Sequence, residues 1–130
     1  MNKTRGYTLI ELMVVIAIIG TIAAMVVPNL NSSRLKTRDA LRASDLKSLS
    51  QALEAYFTDG HYTFPDSLDG VASYFANNTL PTDPSTHQSY AYAKTTSPKG
   101  YCVGAKMELL DASTPCTISG ADVNYTVKGP

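Results

Sequence analysis

Apolar residues crowd the start of the chain and then thin into a repeating stripe. From Tyr7 to Val27 a run of 21 residues holds one charge, Glu11, and from Leu12 to Val27 nothing is more polar than Gly20 and Thr21. Apolar side chains occupy every side of that segment when it is wound as a helix, which suits lipid or a protein interior and does not suit a half-wet surface. At about 1.5 Å per residue the run reaches roughly 32 Å, against about 30 Å of bilayer hydrocarbon, so a helix over 7–28 is long enough to span a membrane.

Beyond Pro28 the pattern changes. Ala40, Leu41, Leu46, Leu49, Ala52, Leu53, Tyr56 and Phe57 recur at three- and four-residue steps, with Arg42, Asp45, Lys47 and Glu54 falling largely between them. That predicts an amphipathic helix over 33–58, with Gly60 as its C-terminal cap. Its stripe fits packing on the chain's own sheet or a short coiled-coil seam. Between the two patterns, Gly20 and Pro28 mark a kink or, for Pro28, a helix stop, because proline lacks the N–H that the helix needs. After Gly60 come turn clusters, Asp59-Gly60-His61-Tyr62 and Leu80-Pro81-Thr82-Asp83-Pro84, flanking a short predicted helix over 65–76. Strands are predicted over 90–94, 101–109 and 123–127. Long helix followed by strands gives an α+β fold: a long N-terminal helix, membrane-spanning and then amphipathic, packed on a small three-stranded antiparallel sheet.

Length and charge narrow the picture. A chain of 130 residues is one domain with at most a short appendage, which excludes a multidomain enzyme. With 44% of residues apolar and 17% charged, it is neither a disordered polyelectrolyte nor a fully embedded bundle. Eleven bases balance eleven acids, without the basic excess of a general polyanion binder, so nucleic acid is disfavoured as a partner though not excluded. The distribution is uneven: +2 over residues 1–6, −1 over 7–33, +3 over 34–47 and −4 over the remaining 83. The basic group Arg34, Lys36, Arg38 and Arg42 fits phosphate headgroups or DNA, and equally a solvated face paired with Asp39 and Asp45.

The N-terminal run is not a good secretory signal peptide. Its apolar region starts with an acid, and no small-x-small cleavage site is well placed after it. Lys3 and Arg5 ahead of the run fit an anchor whose N-terminus stays in the cytoplasm. Glu11 is the informative residue, since a carboxylate within a spanning helix costs on the order of 2.5–3.5 kcal/mol and is seldom there without a partner or a function. Either it lies shallow among the headgroups or it has a counter-ion elsewhere.

The segment Lys3-Thr4-Arg5-Gly6-Tyr7-Thr8-Leu9-Ile10-Glu11-Leu12-Met13-Val14-Val15-Ile16 resembles the class III leader and mature start of the type IV pilin and type II secretion pseudopilin family. That resemblance implies a leader over 1–6 cut by a prepilin peptidase between Gly6 and Tyr7, and N-methylation of Tyr7. It implies that Glu11 pairs with the N-terminal amine of a neighbouring subunit during assembly, and that the helix loosens between Gly20 and Pro28. The globular pilin domain then occupies 29–130. Gly60-x-Tyr62, Leu80-Pro81-x-Asp83-Pro84 and Tyr90-Ala91-Tyr92 are similar to the family's helix-to-sheet loop.

Cys102 and Cys116 enclose 13 residues. Outside the cytoplasm they are expected to form a disulfide, worth on the order of 3 kcal/mol in the chain-entropy model, with two buried thiols or a metal pair short of further ligands as alternatives. Family pilins carry such a C-terminal disulfide loop. Asp111, Asp122 and Asn124 are candidates for a calcium site of the kind found in some pseudopilins, but no acidic ladder of EF-hand type supports it, and neither metal nor other cofactor is expected. No catalytic constellation is present: no nucleophile elbow, no phosphate loop and no paired metal ligands. The expected role is a structural filament subunit of a type IV pilus-like fibre. Alternatives are a pseudopilin of a type II secretion system and a minor tip pilin acting as adhesin or DNA-uptake module. Expected partners are copies of itself, the prepilin peptidase, an inner-membrane assembly platform and, before assembly, membrane lipid. Expected location is the inner membrane, single-pass with the N-terminus in the cytoplasm, and afterwards a surface pilus or periplasmic pseudopilus.

Overall fold

The computed structural model describes residues 6–96, 99–109 and 113–130, without the side chains of 27–29. A single helix, α1, runs Leu9–Tyr56 for 48 residues. The polar stretch Asn31-Ser32-Ser33 does not interrupt it, since such residues weaken a helix by only fractions of a kcal/mol each and no glycine accompanies them. The helix passes through Pro28, so the stop reading is not the one the backbone takes. Its end is a wider turn over Phe57–His61 in which Gly60 adopts φ +97°, and the Tyr62 N–H donates to the Phe57 carbonyl at 3.3 Å. Gly60 is thus the terminating glycine expected, one residue inside a π-type turn that places Tyr62 at the cap.

The chain divides into two compact units, the first ending at Arg34 and the second Leu35–Pro130. In the first, the described apolar side chains from Tyr7 to Val26 are exposed, Ile10 by 69% and Ile19 by 59%. Among the described residues, α1 is the one helix long and apolar enough to cross a membrane.

The second unit owns the core. Leu46, Leu49, Ala52 and Leu53 of α1 are buried against Phe64, Leu68, Val71, Tyr90, Tyr101, Val103 and Ala105. Three antiparallel strands supply much of that surface: β1 Ala91–Thr96, β2 Lys99–Ala105 and β3 Tyr125–Lys128, in the order β1-β2-β3. The register aligns Tyr92 with Val103 and Val103 with Val127, so all three stand on one face. The α+β arrangement is the expected one, with differences of detail. The helix expected over 65–76 is shorter and tighter, a 3₁₀ helix Leu68–Tyr74 followed by a further turn Ala76–Asn78. β2 stops at Ala105 and not at Leu109, because the backbone N–H groups of Glu108 and Leu109 are taken by the carboxylate of Asp39.

The helix stripe also differs from expectation. Asp39 and Arg42 are buried in phase with Leu46, Leu49 and Leu53, whereas Leu41, placed on the stripe by sequence, is 48% exposed. Leu49→Ala should therefore destabilise the second unit by about 2–5 kcal/mol, and Leu41→Ala by less than about 0.5 kcal/mol, in denaturant unfolding of the full chain in detergent micelles. Equal effects of the two would show that the stripe is misassigned.

Candidate functional site

Two regions carry unusual chemistry. The first is the start of α1. Gly6 and Tyr7 are exposed and outside any regular element, with Tyr7 91% exposed, so the peptide bond between them is open to an enzyme. Thr8 precedes the helix, and its N–H and hydroxyl both donate to Glu11 Oε2, at 2.8 and 2.7 Å, while the Glu11 N–H donates to Thr8 Oγ1 at 3.3 Å. This is a capping box, in which two otherwise unmade donors of the first turn are satisfied reciprocally. Thr8-x-x-Glu11 is its sequence signature, a signal that the reading of Glu11 as a lone membrane acid passes over. Glu11 therefore has a partner inside its own chain.

The second region lies on α1 past Leu35. The Arg42 side chain is only 4% exposed and reaches three carboxylates. Its Nε and Nη2 donate to Asp83 at 2.7 and 3.2 Å, its Nη1 to Asp39 and Glu108 at 2.8 Å each. Arg38 adds a two-pronged pair with Glu108, Nε at 2.7 Å and Nη2 at 2.5 Å. Asp39 Oδ1 and Oδ2 accept the Glu108 N–H at 2.9 and 3.1 Å, and Oδ2 the Leu109 N–H at 2.8 Å. Asp83 Oδ1 also accepts the Ser85 and Thr86 N–H groups at 2.8 and 2.9 Å, closing the turn after Asp83-Pro84. One guanidinium thus ties the helix, the Asp-Pro turn and the segment after β2 together. Of the basic group read from sequence, Arg38 and Arg42 are engaged by protein carboxylates and belong to this clasp, not to a surface open to phosphate.

The electrostatics follow the geometry. Hydrogen bonds from Arg42 hold the Asp83 carboxyl well below the usual carboxylate range, and those from Arg38 and Arg42 pull Glu108 down to about 2. Further along the helix, burial first and then the Asp45 carboxylate push the Tyr90 phenol up, and its hydroxyl donates to Asp45 at 2.7 Å. Burial lifts Tyr101 to about 12, with its hydroxyl 2.5 Å from Ser50 Oγ and 3.1 Å from Glu54. Every one of these contacts joins α1 to the sheet side of the unit.

Cys102 and Cys116 are joined in a disulfide. Of the candidate calcium residues, Asp122 pairs with Lys106, and the Asn124 amide is engaged by Met107, accepting its N–H at 2.5 Å and donating to its carbonyl at 2.9 Å. Asp111 lies outside the described residues, as do the leader residues ahead of Gly6 and the Pro28 side chain. Among the described residues no three acids, histidines or cysteines converge as metal ligands.

Carboxylates with depressed folded-state values contribute stability that is complete above their unfolded values and is lost as pH falls through the folded ones. Unfolding free energy of the full chain should therefore be flat near neutrality and fall as Glu108 passes from about 4.5 toward about 2, with Asp83 following at lower pH. Arg42→Met should cost about 3–5 kcal/mol at pH 7, because it leaves the buried Asp39 carboxylate without its guanidinium, and should weaken that acid limb while Arg38 still holds Glu108 down. An Arg42→Met protein with wild-type stability and an unchanged acid limb would show the clasp to be idle.

Comparison with known proteins bears on both regions. A family model described as the prokaryotic N-terminal methylation motif matches residues 1–27. Type II secretion system core protein G of Escherichia coli is 39% identical over 93 residues, covering 72% of this chain and 63% of that protein. The protein of the same name from Aeromonas hydrophila is 34% identical over 72% of this chain and 66% of its own length, and that from Vibrio cholerae 33% identical over 72% and 63%. The chain spans about three fifths of the length of the curated relatives it matches. No solved structure matches. With the methylation motif at the start of its apolar helix and these relatives over most of its length, the chain belongs to the type IV pilin and type II secretion pseudopilin family.

Proposed function

We propose that the chain is a pseudopilin-like structural subunit, stored in the inner membrane and drawn into a helical filament through the first part of α1. The observation that carries this reading is the exposed apolar helix behind a methylation-type N-terminus. The relatives' name, type II secretion system core protein G, favours a periplasmic pseudopilus over the surface pilus or the tip pilin. The role is structural, not catalytic.

Prepilin peptidase cuts between Gly6 and Tyr7 and the new amine of Tyr7 is methylated. The cut removes the amide linking residues 6 and 7 but leaves the Thr8 N–H in place, so the capping box with Glu11 survives processing. In the bilayer that box keeps the Glu11 carboxylate hydrogen-bonded within its own first turn, which offsets part of the cost of an acid near hydrocarbon. In the filament the cationic Tyr7 amine of a neighbour offers a stronger, charge-assisted partner. Opposite charges at about 4 Å attract strongly away from water, yet both must be desolvated, so the pair sets axial register more securely than it adds net stability. The apolar surface faces lipid before and sister helices after, so transfer between them changes little hydrophobic area.

The segment Gly20–Pro28 is the loosest part of α1. Pro28 has no N–H for the Ala24 carbonyl, and the Thr21 hydroxyl donates to the Ile18 carbonyl at 2.8 Å, a bond that competes with the helix ladder. Packing in a filament loosens the helix there. An assembly platform in the inner membrane receives the subunit, whose N-terminus stays cytoplasmic.

Mass spectrometry of the protein from its native host should find a chain beginning at N-methylated Tyr7; a mature start after Val27 would return it to ordinary secretion. Glu11→Leu should leave membrane insertion and leader cleavage at wild-type levels while filament recovery in sheared or envelope fractions drops about tenfold or more, as expected for loss of roughly 1.4 kcal/mol or more per contact. Normal filaments from Glu11→Leu would refute the register role.

A further inference from the structure

β3 is an edge strand, and an open edge is a template for pairing with another chain. Thr126 sits opposite Gly104 of β2 in the register, yet its N–H does not go to β2: it donates outward to the Ser113 carbonyl at 2.9 Å. The Thr126 hydroxyl, buried with the rest of its side chain, donates to the Cys116 carbonyl at 3.0 Å and accepts the Cys116 N–H at 3.4 Å. A strip over 113–116 therefore covers the outer edge of β3 at Thr126. Three of its four residues, Ser113, Thr114 and Pro115, are exposed, so burial of their side chains does not hold it there. Besides these hydrogen bonds, its end is held covalently by the bond from Cys116 to Cys102, a buried residue of β2 that pairs with Lys128 of β3.

We propose that the Cys102–Cys116 bond is a redox latch: oxidised, it holds residues 113–116 over the edge of β3, and reduced, it lets them go. Opening takes two electrons from a dithiol. A thiolate of that reductant attacks Cys116 Sγ, the less buried of the two sulfurs, and Cys102 leaves as thiolate. The second thiol of the reductant then displaces Cys116 from the mixed disulfide, leaving two protein thiols and an oxidised dithiol. Ile118 and Val123 pack over Gly104 of β2 and confine the release to the strip before them. The latch rests on geometry alone; its timing, closure after the second unit reaches an oxidising compartment, rests on the membrane topology proposed above.

Amide hydrogen exchange on the folded full chain in detergent micelles tests the latch without reference to topology or filament formation. Exchange is compared before and after dithiothreitol, and with a calcium chelator on the oxidised protein. Reduction should speed exchange at Thr126 about tenfold or more while Val103 and Leu49 stay within about twofold, the mark of local and not global opening. Chelator should change none of the three. A Thr126→Val variant with the disulfide intact should keep its residue 126 amide protected by Ser113 until reduced. Unchanged exchange at Thr126 after reduction, equal acceleration throughout the core, or opening by chelator instead of reductant would each overturn the latch.

Discussion

The buried guanidinium of Arg42 is the contact on which the second unit is organised. Desolvating one cation is expensive, and it is tolerated here because Asp39, Asp83 and Glu108 surround it with hydrogen-bonded carboxylates while Arg38 shares Glu108. Those carboxylates come from three segments far apart in sequence. Two of them also act on the backbone, since Asp83 closes the Asp-Pro turn and Asp39 takes the donors that end β2. The cost of burying charge is thereby spread over turn closure and strand termination. A well-packed apolar residue at position 42 would fill the space but leave all three segments without their shared anchor. In that sense the clasp sets the geometry of the loop and the strand end more than it adds to the core, which rests on Leu46, Leu49 and Leu53.

What the sequence made legible, and what it hid, follows from the range of each interaction. The long helix, the apolar run and the terminating Gly60 are local patterns, readable from neighbours three and four residues apart. The three strands were legible as β-branched and aromatic runs, but their ends were not. β2 stops at Ala105 because of Asp39, some 69 residues from Glu108 along the chain, and no window of local sequence contains both. The clasp was hidden for a related reason. Asp39 and Arg42 continue the Leu46, Leu49, Leu53 spacing backward by three and four, but charged residues on an apolar phase read as the polar side of a helix until their partners are known. At the N-terminus the opposite happened: Thr8-x-x-Glu11 is a local signature, overlooked because Glu11 already stood out as an acid in hydrocarbon.

The two units solve the burial problem differently. Among the described residues, buried apolar side chains run from Leu46 to Met107, and none comes from the first unit. The second unit buries its apolar surface internally and fastens what remains with ion pairs, tyrosine hydroxyls and a disulfide, all of which it can form as a monomer. The first unit buries none of its described apolar side chains. A helix with apolar residues all round suits an apolar surrounding, which in the proposed function is lipid before assembly and sister helices after it.

That division bears on why an acid is tolerated at Glu11. Hydrophobic area alone does not distinguish one axial register of parallel greasy helices from another, since sliding by a turn exchanges one apolar contact for another of similar worth. A polar feature at one depth does distinguish them, as a single polar position fixes register in a coiled coil at some cost in stability. The capping box makes that feature tolerable in the unassembled chain, because the carboxylate already holds the Thr8 N–H and hydroxyl. It also makes it exchangeable, because those bonds are to neutral donors and an N-terminal ammonium is a stronger partner than either. On that proposal, an acid without the threonine three residues earlier would meet the bilayer unpaired, and a threonine without the acid would cap the helix and carry no register. In the register role proposed for Glu11, the pair together lets one carboxylate be satisfied in two states and decisive in only one of them.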